Sequence, residues 1–183
     1  AIVALGGGRN KNEARTFNTA TQTKKQIGST AKPLYDYGPG MEYNNFSTYT
    51  PFIDEPYTYS DGKEINNWDG TYMGFMTSRE ALKLSRNIPA LKAFQQVNNK
   101  NILKFVEGLG LTPEGYSCKS GYVLDQKKCI NENDSTDVID ATKPSSVHQA
   151  HSIGGYTGMS PLSMAVAYSA LANGGYYTKP YSF

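Results

Sequence analysis

One segment of the chain carries helix signals at both of its ends. Ser160 is a preferred N-cap residue, Pro161 suits the first helical position, and the glycines at 174–175 commonly follow a helix end. The apolar residues 162–171 between these signals predict a helix. Because small alanines recur along it, we expect this helix to pack closely in a hydrophobic core.

Other regular elements are predicted from local signals. Residues 77–80 contain a threonine followed three positions later by a glutamate, a capping box that opens a short helix. A proline suits the first position of a new helix over 89–97, and apolar spacing predicts another helix over 100–109. Residues 1–8 are apolar and end in glycines, which predicts a short buried strand.

Residues 43–76 combine prolines, glycines and many aromatic side chains without a clear period, which is typical of loops and short strands. We interpret the aromatic side chains as the packed undersides of long loops, and a glycan-binding platform is the alternative. The aromatic residues concerned include Tyr57, Tyr59, Trp68, Tyr72 and Phe75.

Charge and length exclude several classes of protein. The 18 basic and 16 acidic residues are spread along the sequence and leave a net charge of +2. This pattern has no basic footprint for nucleic acid, so we expect no nucleic-acid partner. No apolar run reaches the length of a membrane span. A chain of 183 residues can bury one core, which predicts one domain or part of one.

The two cysteines, Cys118 and Cys129, flank a polar segment with a turn-forming glycine. We interpret them as a disulfide that closes a short surface excursion, and two free thiols are the alternative. A disulfide would indicate an oxidising, extracytoplasmic compartment.

The two histidines, His148 and His151, are three residues apart. We interpret them as a surface pair, because no third ligand lies at a suitable spacing for a metal. We therefore expect neither a metal nor an organic cofactor.

A serine and a lysine three residues apart, Ser29 and Lys32, come just before a segment with helical spacing. We expect a helix from about Ser29 to Glu42, which Pro33 keeps from starting much earlier. On one face of its first turn, the two side chains would be close enough to share a proton. An ordinary helix start, with Ser29 as N-cap, is the alternative.

A second polar pair, Ser85 and Asn87, lies between two predicted helices. An enzyme with a serine nucleophile must also protonate its leaving group and hold the substrate amide. A hydroxyl beside a carboxamide can do both. Serine-x-x-lysine followed by serine-x-asparagine is a known catalytic signature of penicillin-binding proteins and β-lactamases.

The chain resembles the transpeptidase domain of penicillin-binding proteins and is most like the bifunctional class A enzymes of Gram-positive bacteria. The resemblance rests on the stretches 6–9, 28–33, 67–69, 85–90 and 159–176. It covers nearly the whole chain except about 113–147, a segment that we expect to be a surface insertion.

The resemblance implies a mixed α/β fold of the penicillin-binding protein and serine β-lactamase type. A helical subdomain would accompany part of an antiparallel sheet. Residues 1–183 would be the central part of a single transpeptidase domain that lacks its N- and C-terminal strands. The family's Lys-Thr/Ser-Gly strand, which recognises the substrate carboxylate, is absent from this sequence and would come from remaining segments of the same domain.

The resemblance also implies a role for each of the four polar residues. Ser29 would be the nucleophile and bind substrate, with its backbone N–H supplying half of the oxyanion hole. Lys32 would be its base. Ser85 would relay protons and Asn87 would hold the substrate amide. Burial near a helix N-terminus should lower the pKa of Lys32, since both disfavour its charged form.

The implied activity is cross-linking of peptidoglycan. Ser29 would attack the D-Ala-D-Ala end of a stem peptide and pass the acyl group to an acceptor amine, and β-lactam antibiotics would acylate the same serine. The enzyme would work at the extracytoplasmic face of the bacterial cell membrane, with an anchor and a glycosyltransferase domain outside this chain. Two alternatives are a β-lactam-hydrolysing or sensing protein of the same fold and a non-catalytic glycan-binding scaffold.

Overall fold

In the computed structural model of the chain, the described residues are 2, 4–7, 18–113, 120–125, 128–142 and 147–181. Their helices are a 3₁₀ helix Gly28–Ala31, a π-helix Pro33–Tyr37, α1 Gly38–Asn44, α2 Ser78–Lys83, α3 Asn87–Gln96, α4 Asn99–Gly108, a 3₁₀ helix Gln149–His151 and α5 Pro161–Ala172. Their strands are β1 Pro51–Asp54, β2 Tyr57–Thr58, β3 Glu64–Ile65, β4 Gly74–Thr77, β5 Tyr122–Asp125, β6 Lys128–Asn131 and β7 Val138–Asp140.

The predicted helix after Ser29 is a continuous helical run that changes type twice. It begins as a 3₁₀ turn, widens into a π-helical turn at Pro33–Tyr37 and continues as α1. Leu34 and Tyr37 are buried as their spacing predicts, but Met41 is exposed. A π turn shifts the register of the residues that follow it, which moves Met41 off the buried face.

The largest hydrophobic core lies between this helical run, α4 and α5. Leu34 packs with Ile102 and Val106 of α4 and with Ala167 and Ala170 of α5, all fully buried. The small alanines let α5 approach closely, as the sequence predicts. The core therefore fixes the start of the helical run, where Ser29 and Lys32 lie.

A second core lies under the antiparallel pair of β1 and β4. These strands pair antiparallel, with Phe52 opposite Met76, and both side chains point inward. Tyr37 and Ala90 of α3 complete this cluster. The strand alternation also points Asp54 inward, which brings a carboxylate under the residues that lead into α3.

The short strands form two separate antiparallel units. β2 pairs with β3, and β5, β6 and β7 form a three-stranded sheet in that order. The three-stranded sheet lies within 113–147, whose interpretation as a surface insertion stays a prediction.

Helix ends with local signals follow the sequence closely. Ser160 Oγ accepts a hydrogen bond from the Ser163 N–H, and α5 begins at Pro161. The capping box at the start of α2 is formed, with Thr77 and Glu80 bonded in both directions.

One predicted helix boundary and one predicted strand are wrong. Helix α3 begins at Asn87, two residues before Pro89, so Asn87 lies in its first turn. The strand over residues 1–8 is not present at its described positions, 2 and 4–7. A strand needs a ladder of partners, and between described residues these positions have one backbone hydrogen bond outside regular elements, from the Ile2 N–H to Tyr181 O.

The prediction of a surface histidine pair is also wrong. His148 is exposed, but His151 is fully buried, with its ring stacked on Tyr35 and close to Tyr156. His151 Nδ1 accepts a hydrogen bond from the His148 N–H.

The loop aromatics divide into two groups. Tyr57 and Tyr59 pack against a buried cluster, as expected. Trp68 is 75% exposed and Phe75 74% exposed, and Tyr72 is exposed as well, so these three do not lie on the undersides of loops.

Cys129 of β6 is buried and disulfide-bonded. Cys118, its predicted partner, lies outside the described residues. Across the described part of the chain, no helix combines the length and apolar character that a membrane crossing requires.

Candidate active site

The Lys32 side chain is the centre of the site. It lies where the 3₁₀ turn passes into the π-helix, and it is fully buried. Its Nζ donates hydrogen bonds to Ser85 O at 2.6 Å, Ser85 Oγ at 3.0 Å and Asn87 Oδ1 at 2.8 Å. The fold thus brings together three of the four residues that the sequence singles out, across more than fifty positions of the chain.

Ser29 lies on the adjoining turn. It is the second residue of the 3₁₀ helix and is exposed, and Ile27 rather than Ser29 is the N-cap. Its carbonyl oxygen accepts a hydrogen bond from the Lys32 backbone N–H. Among hydrogen bonds between described residues, none joins the Ser29 and Lys32 side chains.

Two glycines support the turn that carries Ser29. Gly28 has φ +54°, and Gly154, with φ +72°, lies directly against it. A Cβ on Gly154 would lie 2.3 Å from both Gly28 N and Gly28 O. Nearby, the backbones of Lys25 and Met159 pair as an isolated antiparallel bridge. Sequence reasoning missed this support, although the Gly154-Gly155 pair was a visible signal.

Gly154→Ala is expected to disturb the Ser29 turn, because the new methyl group clashes with the Gly28 backbone and alanine disfavours a positive φ. We expect a lower Tm and slower covalent reaction with penicillin, measured by thermal unfolding and by labelling with a fluorescent penicillin. Gly155→Ala is the matched control, since a Cβ there meets nothing closer than 3.5 Å. Equal effects of the two substitutions would contradict this assignment.

The segment that carries Ser85 and Asn87 is held on its far side by buried polar groups. Arg86 is buried and forms ion pairs with Asp54, at 2.8 Å, and with Asp69, at 2.9 Å. Asn67 Oδ1 accepts a hydrogen bond from the Asn87 N–H at 2.8 Å. Sequence reasoning used 67–69 only as a point of resemblance and missed Asp54, although an inward position on a strand next to a turn would have been the signal.

The surroundings of Lys32 lower the pKa of its amine. Burial lowers the pKa of Lys32 to about 8, the positive charge of Arg86 adds to this effect, and Asp36 opposes it. Asp36, one turn further along and fully buried, has its pKa raised well above the usual range by burial, against opposing effects of Ser152 and Lys32. An amine with this pKa is partly unprotonated near neutral pH and can accept a proton.

The donor set does not suit a metal ion. Within the described ranges, no group of three or more His, Cys, Asp or Glu side chains is placed to bind one. The site instead offers a buried amine, two hydroxyls and a carboxamide, which are the groups of acyl-transfer chemistry.

Comparison with known proteins identifies the family of the chain. The family model "Penicillin binding protein transpeptidase domain" matches residues 1–183. Penicillin-binding protein 1A/1B of Bacillus subtilis is 44% identical over 98% of the chain, and penicillin-binding protein 1A of Streptococcus pneumoniae is 32% identical over 98%. The chain spans 17% and 22% of these two relatives.

Solved structures show the same fold. Penicillin-binding protein 1A from Haemophilus influenzae matches 90% of the chain with a TM-score of 0.64 and 25% identity, over 20% of its own length. The PonA1 protein from Mycobacterium tuberculosis in complex with penicillin V matches 92% of the chain, and 40% of its own, with a TM-score of 0.68 and 23% identity. The family model, the two relatives and the shared mixed helix and sheet fold agree, and the chain belongs to the transpeptidase domain family of the penicillin-binding proteins.

Proposed function

We propose that this chain is the central part of a D,D-transpeptidase domain that cross-links peptidoglycan stem peptides through an acyl-enzyme at Ser29. The observation that carries the proposal is the Lys32 amine. It is buried, bonded to Ser85 Oγ and Asn87 Oδ1, and one turn from the exposed Ser29. A buried lysine whose pKa is lowered in this way is suited to act as a base.

In the first step, neutral Lys32 takes the proton of the Ser29 hydroxyl, and Ser29 Oγ attacks the carbonyl carbon of the penultimate D-Ala. The backbone N–H of Ser29 contributes to binding of the developing oxyanion. The peptide C–N bond then breaks, and the terminal D-Ala leaves with a proton supplied by Lys32 through Ser85. The 3.0 Å contact between Lys32 Nζ and Ser85 Oγ supports this proton path.

In the second step, an acceptor amine attacks the Ser29 ester, gives up a proton and forms the cross-link as Ser29 regains its hydrogen. Asn87 holds the amide of the bound stem peptide through its carboxamide. A β-lactam follows the first step only: its strained amide opens on Ser29, and the leaving amine stays tethered to the acyl group.

The remaining assignments extend this proposal to the whole protein. Residues 113–147 form a surface insertion, and further segments of the domain supply the Lys-Thr/Ser-Gly strand. The protein acts at the extracytoplasmic face of the cell membrane, and a glycosyltransferase domain accompanies the transpeptidase. The class A relatives support this reading.

The rate of acylation is expected to rise with pH around pH 8. Burial lowers the pKa of Lys32 to about 8, so the amine is protonated and inactive as a base below that pH and neutral above it. The second-order rate constant with a fluorescent penicillin, measured in the intact protein from about pH 6 to 10, should follow this single titration. A flat profile would argue against Lys32 as the base.

The proposed function is tested by mass spectrometry of the intact protein after exposure to benzylpenicillin. We expect one stable adduct that survives removal of the drug and maps to the peptide containing Ser29. Rapid hydrolysis of a chromogenic cephalosporin without a lasting adduct would favour a β-lactamase instead. Peptidoglycan binding without any adduct would favour a glycan-binding scaffold.

A further inference from the structure

We propose that Asp54, Asn67 and Arg86 form a buried polar clamp that positions Ser85 and Asn87 around the Lys32 amine. In this assignment, which rests on the proposed function, Asn67 and Asp54 are positioning residues: they act through Ser85 and Asn87 and not on substrate. We call these three residues the clamp.

The backbone at Ser85 needs such support. Ser85 has φ +54°, in the left-handed region that a residue with a side chain adopts at a cost. This conformation points both its carbonyl oxygen and its hydroxyl at Lys32 Nζ. A relaxed backbone would turn at least one of these two acceptors away from the amine.

Arg86, the next residue, stabilises this conformation through the hydrogen bonds of its side chain. Its guanidinium is buried, with Nε bonded to Asp54 Oδ2 at 2.8 Å, Nη1 to Asp69 Oδ2 at 2.9 Å and Nη2 to Thr71 O. A planar guanidinium with partners in several directions cannot rotate without leaving a buried charge unpaired. The direction of the chain on both sides of Arg86 is therefore fixed.

Asp54 links Arg86 to Asn67 and orients the Asn67 side chain. Asp54 Oδ1 accepts a hydrogen bond from Asn67 Nδ2 at 2.7 Å, while its Oδ2 accepts from Arg86 and from the Met73 N–H. Asn67 Nδ2 also donates to Thr71 O at 2.9 Å. With its amino group engaged twice, the Asn67 carboxamide has one orientation, and its oxygen faces the start of α3.

Asn67 meets Asn87 at that point. The Asn87 N–H is one of the donors that a helix start leaves without an intrahelical partner, and Asn67 Oδ1 accepts it at 2.8 Å. The neighbouring Asn66 O accepts from Asn87 Nδ2 at 2.7 Å, which leaves Asn87 Oδ1 directed at Lys32 Nζ. The clamp therefore sets both the backbone and the carboxamide of Asn87.

Asn67→Ala tests the clamp in the intact protein. A displacement of reacting groups by about 1 Å can cost 10²-fold in rate, so we expect a loss of this order in the rate of acylation of bound penicillin. The dissociation constant of the initial complex should change little, because the Asn67 side chain is buried and its carboxamide bonds only groups of the protein among the described residues. Rates are measured by stopped-flow labelling with a fluorescent penicillin well below each Tm.

Asn44→Ala is the matched control. Asn44 Nδ2 donates to Gln96 O at 2.8 Å, so an exposed asparagine carboxamide bonds the opposite end of the same helix α3, as donor rather than acceptor. We expect a smaller change in Tm than for Asn67→Ala, because Asn44 is exposed, and no change in acylation rate. If Asn67→Ala does not fold, Asp69→Asn replaces it, since Asp69 lies at the surface and pairs with the same guanidinium. A smaller loss in the same direction is expected.

The outcomes separate the two proposals. If the unmodified protein forms its adduct on Ser29 but Asn67→Ala, or Asp69→Asn in its place, acylates as fast as Asn44→Ala, the clamp is overturned and the proposed function stands. An equal weakening of initial binding and of the acylation step also overturns the clamp. If the unmodified protein forms no adduct on Ser29, both proposals are overturned.

Discussion

Ser29→Ala is expected to abolish the covalent penicillin adduct and to leave the fold unchanged. Ser29 is exposed, and the described hydrogen bonds include none from its hydroxyl, so the substitution should change stability by no more than about 0.5 kcal/mol. The adduct requires the hydroxyl oxygen itself, so no partial activity should remain. Intact-protein mass spectrometry after benzylpenicillin gives the result directly, and Tm reports on the fold.

Ser169→Ala is a suitable control, because Ser169 is an exposed serine on α5 whose hydroxyl donates a hydrogen bond to Val166 O within the same helix. It should keep the full adduct. An adduct that persists in Ser29→Ala and maps to Ser85 would reassign the nucleophile. Because the Ser85 hydroxyl contacts the Lys32 amine in this structure, the position of the adduct decides whether Ser29 or Ser85 is the nucleophile.

Lys32→Arg is expected to lower the second-order rate constant of acylation by about 10²–10⁴-fold, the usual contribution of a general base. Arginine keeps the positive charge and hydrogen-bond donors for Ser85 and Asn87, but its pKa is too high for it to accept a proton. The substitution therefore separates the loss of a base from the loss of a charge. The rate is measured with a fluorescent penicillin near pH 8.

Lys92→Arg is the matched control. Lys92 Nζ also donates to a backbone carbonyl, that of Ile53, and to a side-chain oxygen, that of Glu55. An arginine at position 92 therefore faces the same kinds of acceptor as an arginine at position 32. It should acylate at the rate of the unmodified protein. Acylation of Lys32→Arg at that same rate would remove Lys32 from the role of base.

Predictions that rest on neighbouring residues agree best with the structure. The capping box of Thr77 and Glu80 and the N-cap at Ser160 form because both partners lie within one turn. The pKa direction of Lys32 also follows from its place at a buried helix start. The roles of Ser29, Lys32, Ser85 and Asn87 stay predictions, although three of these side chains meet.

Features that depend on distant partners could not be predicted. His151 is buried because Tyr35, more than a hundred residues earlier, stacks on its ring. Helix α3 begins at Asn87 rather than at Pro89 because Asn67 accepts the Asn87 N–H from a separate loop. No spacing rule links such positions, so the polar support beneath the site emerges only from the fold.

The three hydrogen bonds that Lys32 Nζ donates to described residues also determine how the site accommodates a change in the protonation of the amine. An ammonium group has three hydrogens and here has three acceptors, whereas a neutral amine has two hydrogens and one lone pair. Ser85 O and Asn87 Oδ1 can only accept hydrogen bonds, so the neutral amine must donate its two hydrogens to these two oxygens. The Ser85 hydroxyl alone can reverse its polarity and donate to the lone pair. Each proton that passes between Lys32 and Ser85 is thus matched by a rotation of the Ser85 hydroxyl, and the lone pair can accept the Ser29 proton once that hydroxyl has turned away.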